Sequence, residues 1–127
     1  MKRILAILGA TVWISVSEFV RNQFLVQTQW VEHYRSMGLT FPSAPINGAM
    51  WGVWSLVFAV VIFILSRRFS FLHTSILSWV IGFVMMWIVI GNLGLLPFVI
   101  LPYAIPLSVL EAMVATWLVR KISPVHT

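Results

Sequence analysis

The sequence contains no cysteine, and only three of its 127 residues are acidic. Without cysteine the chain has no disulfide framework, no thiolate nucleophile and no cysteine-based metal site. Charged residues make up 9% of the chain, whereas about a quarter of the residues in a soluble domain are charged. Hydrophobic residues make up 61%, and the mean hydropathy is +1.01. This composition excludes the ordinary soluble classes.

Long apolar segments are what the chain has in abundance. Four of them cover about residues 4–27, 48–66, 71–91 and 98–119. Each approaches or exceeds the ~20 residues that a helix needs to cross ~30 Å of hydrocarbon. Backbone groups in a bilayer must be satisfied within the segment, which favours helices, and the ~10-residue alternation of barrel strands is missing. We therefore expect an all-α integral membrane protein, with four transmembrane helices forming a single domain over residues 1–127.

The basic residues lie at the ends of the apolar segments, mostly in the pairs Lys2-Arg3, Arg67-Arg68 and Arg120-Lys121. Such charges mark cytoplasmic connections, so we expect both termini in the cytoplasm and a multi-pass protein of the inner (plasma) membrane. The same placement argues against nucleic acid as a partner, despite a net charge of +5. No small-residue cleavage site precedes Glu18, which favours a retained first helix over a cleaved signal peptide.

The first connection, about residues 27–47, is the longest and is expected on the extracytoplasmic side. Trp30 and Tyr34 lie four residues apart in it, on one face of a helical extension of helix 1 at headgroup level. Asn47 is a candidate N-cap for the second long helix.

Helix 1 carries the strongest candidate site. Thr11, Ser15, Glu18 and Asn22 are spaced four, three and four residues apart, which aligns them as a polar stripe on one helical face. Arg21 follows Glu18 by three residues, within reach of an ion pair. An ionisable group at bilayer depth is costly and marks a functional site by default, although polar packing between helices is the alternative. The stripe is expected to face the bundle interior, a second protomer or a partner.

A second carboxyl, Glu111, lies in the last helix with no basic neighbour within a turn. With a rise of 1.5 Å per residue, Glu111 is expected to lie about 9 Å from Glu18 along the membrane normal, which leaves room between them for water or a small ligand. By the same count Arg21 does not reach Glu111 unless a helix tilts or unwinds. Desolvation disfavours the charged form of an unpaired carboxyl. Glu111 is therefore expected to be neutral for much of the time, either serving proton-coupled movement or donating a hydrogen bond to a backbone carbonyl.

Two tryptophans and two glycines complete the candidates. Trp13 and Trp79 lie deep in their helices, where they could line a pocket for a cation or an aromatic compound, or simply pack. Gly48 and Gly52 form a G-x-x-x-G motif at the start of the second long helix, which permits close helix approach or dimerisation.

The chain shows no motif of an enzyme, a phosphate loop or a zinc site. Its three histidines, His33, His73 and His126, are far apart in sequence. We therefore predict no catalytic residues, no metal and no cofactor.

Proton-linked binding or transport of a small substrate, by a homodimer, is the function that the pattern favours. The predicted substrate- or proton-binding residues are Glu18, Arg21, Asn22 and Glu111, with Ser15 and Trp13 beside them. The alternative is a non-catalytic accessory subunit, whose polar stripe docks on a larger membrane complex.

Overall fold

The computed structural model describes residues 1–125, and the regular structure within them is entirely helical. The helices are α1 (Lys2–Leu25), α2 (Gln27–Ser36), α3 (Pro45–Ser66), α4 (Phe71–Asn92) and α5 (Phe98–Ile122). All except α2 are long and apolar enough to cross a membrane. The prediction of an all-α chain with four such helices is thereby confirmed.

The ends of the helices follow from local capping chemistry. α3 begins at Pro45 rather than at residue 48, since proline fits the first turn of a helix, where its missing N–H is not needed. Asn47 is not the N-cap: it lies inside the first turn, where its Oδ1 accepts a hydrogen bond from the backbone N–H of Ala44 at 3.0 Å. α4 begins after Ser70, whose Oγ accepts from the His73 N–H at 3.2 Å.

Two of the long helices contain one π-helical turn each, at Arg21–Leu25 in α1 and at Val80–Val84 in α4. The N–H of Val26 donates to the Arg21 carbonyl at 2.9 Å, five residues back, instead of four as in an α-helix. Such a turn inserts one residue and changes the direction in which the following side chains point.

The long helices form one bundle, in which α1 packs against α3 and α5, and α4 packs against α3 and α5. α1 and α5 run antiparallel: Gly9 lies beside Ile122, whereas Val26 packs with Ile100 and Ala104. Antiparallel contact along the whole length brings the polar side of α1 against the middle of α5.

The outside of the bundle is apolar, unlike that of a water-soluble bundle, and its interior combines apolar with polar side chains. Large apolar residues cover the outside, with Phe24 71% and Ile88 67% exposed. The interior holds seven buried serines and threonines along α3, α4 and α5: Ser55, Ser66, Thr74, Ser75, Ser78, Ser108 and Thr116. Most of their hydroxyls donate to a carbonyl of the same helix, as Ser55 does to Trp51 at 2.9 Å. Small side chains of this kind let helices approach closely.

α2 closes the end of the bundle opposite the basic pairs. The rings of Trp30 and Tyr34 lie 6.3 Å apart, and Phe41 stacks on Trp30 at 5.8 Å. The Nε2 of His33 lies 2.7 Å from the carbonyl oxygen of Gly94, at the turn between α4 and α5. Gly94 has a φ of +78°, a conformation that glycine adopts without steric cost. This hydrogen bond holds α2 on the α4–α5 connection.

Candidate functional site

Three ionisable side chains meet inside the bundle, where α1 faces α5: Glu18, Arg21 and Glu111. These residues, here named the Glu–Arg–Glu cluster, are 4%, 6% and 0% exposed. The Nη2 of Arg21 donates to Oε1 of Glu18 at 2.6 Å. Its Nη1 lies 3.5 Å from Oε1 of Glu111. One guanidinium therefore serves two carboxylates.

The expectation that Arg21 does not reach Glu111 is wrong, because the two side chains lie within ion-pair distance, although no hydrogen bond joins them. Counting the rise per residue gives only the heights of the Cα atoms. The Cα–Cβ bond of a helical residue tilts toward the N-terminus of its own helix. Because α1 and α5 are antiparallel, their side chains tilt toward each other, and the long arginine side chain spans the remaining offset.

A π-helical turn stands on each side of the guanidinium. Arg21 opens the π-turn of α1, and Phe83 lies in that of α4, with its ring centroid 5.3 Å from Cζ of Arg21. The ring is 1% exposed, so this cation–π contact is desolvated. Gly82, next to Phe83, lets α4 pack closely on α3, since a Cβ there would lie 2.7 Å from Cε1 of Phe58. π-turns occur often at functional sites, which supports a role for the cluster beyond packing.

Asn22 completes the hydrogen bonding of Glu18 and connects the cluster to α2. Its Nδ2 donates to Oε2 of Glu18 at 3.0 Å and to the Glu18 carbonyl at 3.1 Å. Its Oδ1 accepts from Nε1 of Trp30 at 3.2 Å. Both carboxylate oxygens of Glu18 are thus satisfied, and the rotamer of Glu18 is fixed.

The two deep tryptophans bind α5 through their indole N–H groups. Trp13 donates to the carbonyl of Glu111 at 3.0 Å, and Trp79 donates to Oγ of Ser108 at 2.9 Å. These contacts favour the packing alternative for both residues, and the two indole hydrogen bonds fix α5 beside the cluster.

With both carboxylates ionised, the cluster would carry one negative charge in excess, since two carboxylates share a single guanidinium. Among residues 1–125, neither carboxylate oxygen of Glu111 has a hydrogen-bond partner, and neither does Nη1 of Arg21. A buried polar group without a partner is costly, and an uncompensated buried charge more so. A proton or a small monovalent cation at Glu111 would balance the cluster.

The remaining predicted residues are not part of this network. Ser15 is half-buried and takes no part in the cluster's hydrogen bonds within the described residues. The hydroxyl of Thr11 donates to the Ile7 carbonyl of its own helix at 2.7 Å. His126 lies outside the described residues, and residues 1–125 contain no group of three histidine, aspartate or glutamate side chains that could hold a metal ion.

Two grooves lie at the ends of the bundle, away from the cluster. One, of about 580 Å³, is formed by α2 and the start of α5 and includes His33 and Phe98. The other, of about 650 Å³, lies where α1 begins and where α3 and α5 end. Neither groove is lined by Glu18, Arg21 or Glu111. The cluster is therefore closed from both grooves in this conformation.

Fold and site together define an all-helical chain with four helices of membrane-spanning length and apolarity, and with a buried ionic cluster where two of them meet. No protein-family model, no curated protein and no solved structure matches this chain. Its function is accordingly argued from the site.

Proposed function

We propose that this chain is a multi-pass inner-membrane protein in which the Glu–Arg–Glu cluster binds a proton, and that this proton is coupled to the binding or transport of a small substrate. Membrane insertion, with both termini in the cytoplasm, is supported by the four long apolar helices and by the side-chain distribution. The basic pairs at the shared end of α1, α3 and α5 support the orientation.

The observation that carries the proposal is the shared guanidinium. Arg21 neutralises one of two buried carboxylates, and Glu111 has no hydrogen-bond partner in residues 1–125. Because one positive charge is lacking, a proton and a small cation would compete for the same place. Competition for one buried site is the simplest physical basis for exchange of the two across a membrane.

The proton site can be tested by infrared difference spectroscopy of the purified protein between acidic and alkaline buffers. We expect a protonated-carboxyl band that titrates in the wild-type protein and is lost in Glu111→Gln. Glu32→Gln is the matched control, because Glu32 is 3.0 Å from Arg35 in an exposed ion pair. A titrating band that survives Glu111→Gln would show that the proton binds elsewhere.

Coupling can be tested in proteoliposomes that contain a pH-sensitive dye and carry an imposed proton gradient. Sodium, potassium and tetramethylammonium ions are added in separate experiments, and we expect at least one of them to dissipate the proton gradient. Glu111→Gln should abolish this effect. If none of these cations moves protons although Glu111 titrates, the cluster is a proton site without cation exchange.

A homodimer is proposed as the functional unit, because a single bundle of four helices encloses little space. Gly48 and Gly52 have nothing within 4 Å of an added Cβ, so this face of α3 is open to another helix. Native mass spectrometry of gently extracted protein is expected to give the mass of a dimer of this chain.

The second candidate is an accessory subunit of a larger membrane complex, favoured by the observation that neither groove reaches the cluster. The polar stripe of α1 packs within the chain, with Glu18 only 4% exposed, so docking would use another face. A stable heteromeric complex in the same mass spectrometry experiment, with no dimer, would make this the leading function.

A further inference from the structure

The groove at the basic end of the bundle is lined by basic side chains that take no part in the Glu–Arg–Glu cluster. Its volume is about 650 Å³, and its lining includes Lys2 and Arg3 from the start of α1, Arg67 after α3, and residues 123–125 after α5. Three cationic side chains from two separate parts of the chain thus converge on one concave surface.

The chain contains no acidic side chain that could neutralise this end. Its three acidic residues are Glu18, Glu32 and Glu111, and each lies against Arg21 or Arg35 elsewhere in the structure. Of the eight lysines and arginines, Arg21 and Arg35 form these ion pairs, and the other six lie at the ends of α1, α3 and α5. No side chain of residues 1–125 therefore supplies a neutralising negative charge at this end.

The side chain of Arg67 is fixed in position among these basic residues. Its Nη2 donates to the carbonyl of Ser123 and its Nη1 to that of Pro124 at 3.4 Å, while its Cζ lies 4.5 Å from the ring centroid of Phe63. Its Nε is buried and has no hydrogen-bond partner among residues 1–125. A fixed guanidinium loses little entropy on binding an anion.

Positive charges crowd around this guanidinium. Burial lowers the pKa of Arg67, and the nearby charges of Arg3 and Arg120 lower the pKa further. A bound anion would relieve this repulsion. α1 also begins beside the groove without a side-chain cap on its first turn, so its free N–H groups add positive potential.

We propose that this groove binds a phosphate group, and that the phosphate belongs to the headgroup of an anionic phospholipid. Ile4 and Leu8 follow Lys2 and Arg3 on the exposed side of α1, at 59% and 50% exposure, and offer an apolar track for an acyl chain. Basic side chains followed by exposed apolar residues at a helix end favour a lipid over a free phosphate ion. The inference rests on the proposed membrane insertion but not on the proton site.

The test is native mass spectrometry of the detergent-purified full chain, titrated with phosphatidylglycerol or with phosphatidylcholine of the same acyl length. We expect retention of phosphatidylglycerol only. Arg3→Gln and Arg67→Gln are each expected to weaken its binding about tenfold, the effect of one charge-assisted hydrogen bond. Arg3 is exposed, so its replacement does not disturb the fold.

Arg68→Gln is the matched control, since it removes the same charge from the same end of the bundle, at an exposed position outside the groove lining. Equal weakening by Arg68→Gln would overturn the proposal in favour of diffuse attraction. Equal retention of both lipids would overturn it as well. Displacement of the lipid by millimolar inorganic phosphate would reassign the groove to a free anion. None of these outcomes depends on whether Glu111 titrates.

Discussion

Arg21 and Glu111 are in contact across the bundle, with Nη1 of the arginine 3.5 Å from Oε1 of the glutamate. The arginine lies near the end of α1 and the glutamate in the middle of α5. The same guanidinium also binds Glu18 at 2.6 Å, so it links two buried carboxylates. The integrity of this part of the interior depends on Arg21.

Replacement of Arg21 by glutamine is expected to destabilise the protein by about 3–5 kcal/mol, because it leaves two buried carboxylates without a cation. Glu111→Gln should cost less, since it removes the excess negative charge and keeps the Glu18–Arg21 pair. Unfolding of the purified variants in mixed detergent micelles measures the difference. Arg35→Gln is the control, because the Arg35–Glu32 pair is largely exposed and such pairs contribute little.

The double variant Arg21→Gln/Glu111→Gln makes this prediction sharper. It retains one buried carboxylate instead of two, so it is expected to be more stable than Arg21→Gln alone. If Glu111→Gln changes the stability by the same amount in the wild-type protein and in the Arg21→Gln variant, the two residues are not energetically coupled, and the contact has no role in stability.

Gly82→Ala is expected to destabilise the bundle by about 1–3 kcal/mol, the usual cost of overpacking. The added Cβ would lie 2.7 Å from Cε1 of Phe58, so either the ring or α4 has to move. Gly91→Ala in the same helix is the matched control, as a Cβ there would have its nearest contact at 3.4 Å, an ordinary van der Waals distance, and alanine favours a helix. Thermal unfolding should therefore separate the two variants. Equal stability would mean that Phe58 rotates away at little cost.

The four long helices could be predicted from the sequence because they follow from the length of the apolar segments. The Glu18–Arg21 ion pair could also be predicted, because residues three apart lie on the same face of a helix. The contact between Arg21 and Glu111 could not be predicted, since it depends on the direction of side chains on two antiparallel helices. The two π-helical turns depend on packing between helices and leave no periodic pattern in the sequence. Phe83 was missed for the same reason: nothing distinguishes it from other apolar residues of α4.

The orientation of the chain leads to a further prediction. Fluorescent protein fused at either terminus should fluoresce, and alkaline phosphatase fused there should be inactive, because both termini are proposed to lie in the cytoplasm. Phosphatase inserted into the connection between α2 and α3, residues 37–44, should be active. The opposite pattern would reverse the proposed orientation and would place the basic groove on the outer side.

Trp13→Phe is expected to cost about 0.5–1.5 kcal/mol, the net contribution of one hydrogen bond. The phenyl ring keeps most of the packing, but the indole N–H that donates to the Glu111 carbonyl at 3.0 Å is lost. Trp117→Phe is the control, because Trp117 is 51% exposed and its ring centroid lies 5.7 Å from Nζ of Lys121. If both variants unfold alike, the indole N–H of Trp13 does not fix α5. If Trp13→Phe also alters the titration of Glu111 in the infrared spectrum, the indole positions this residue for proton binding.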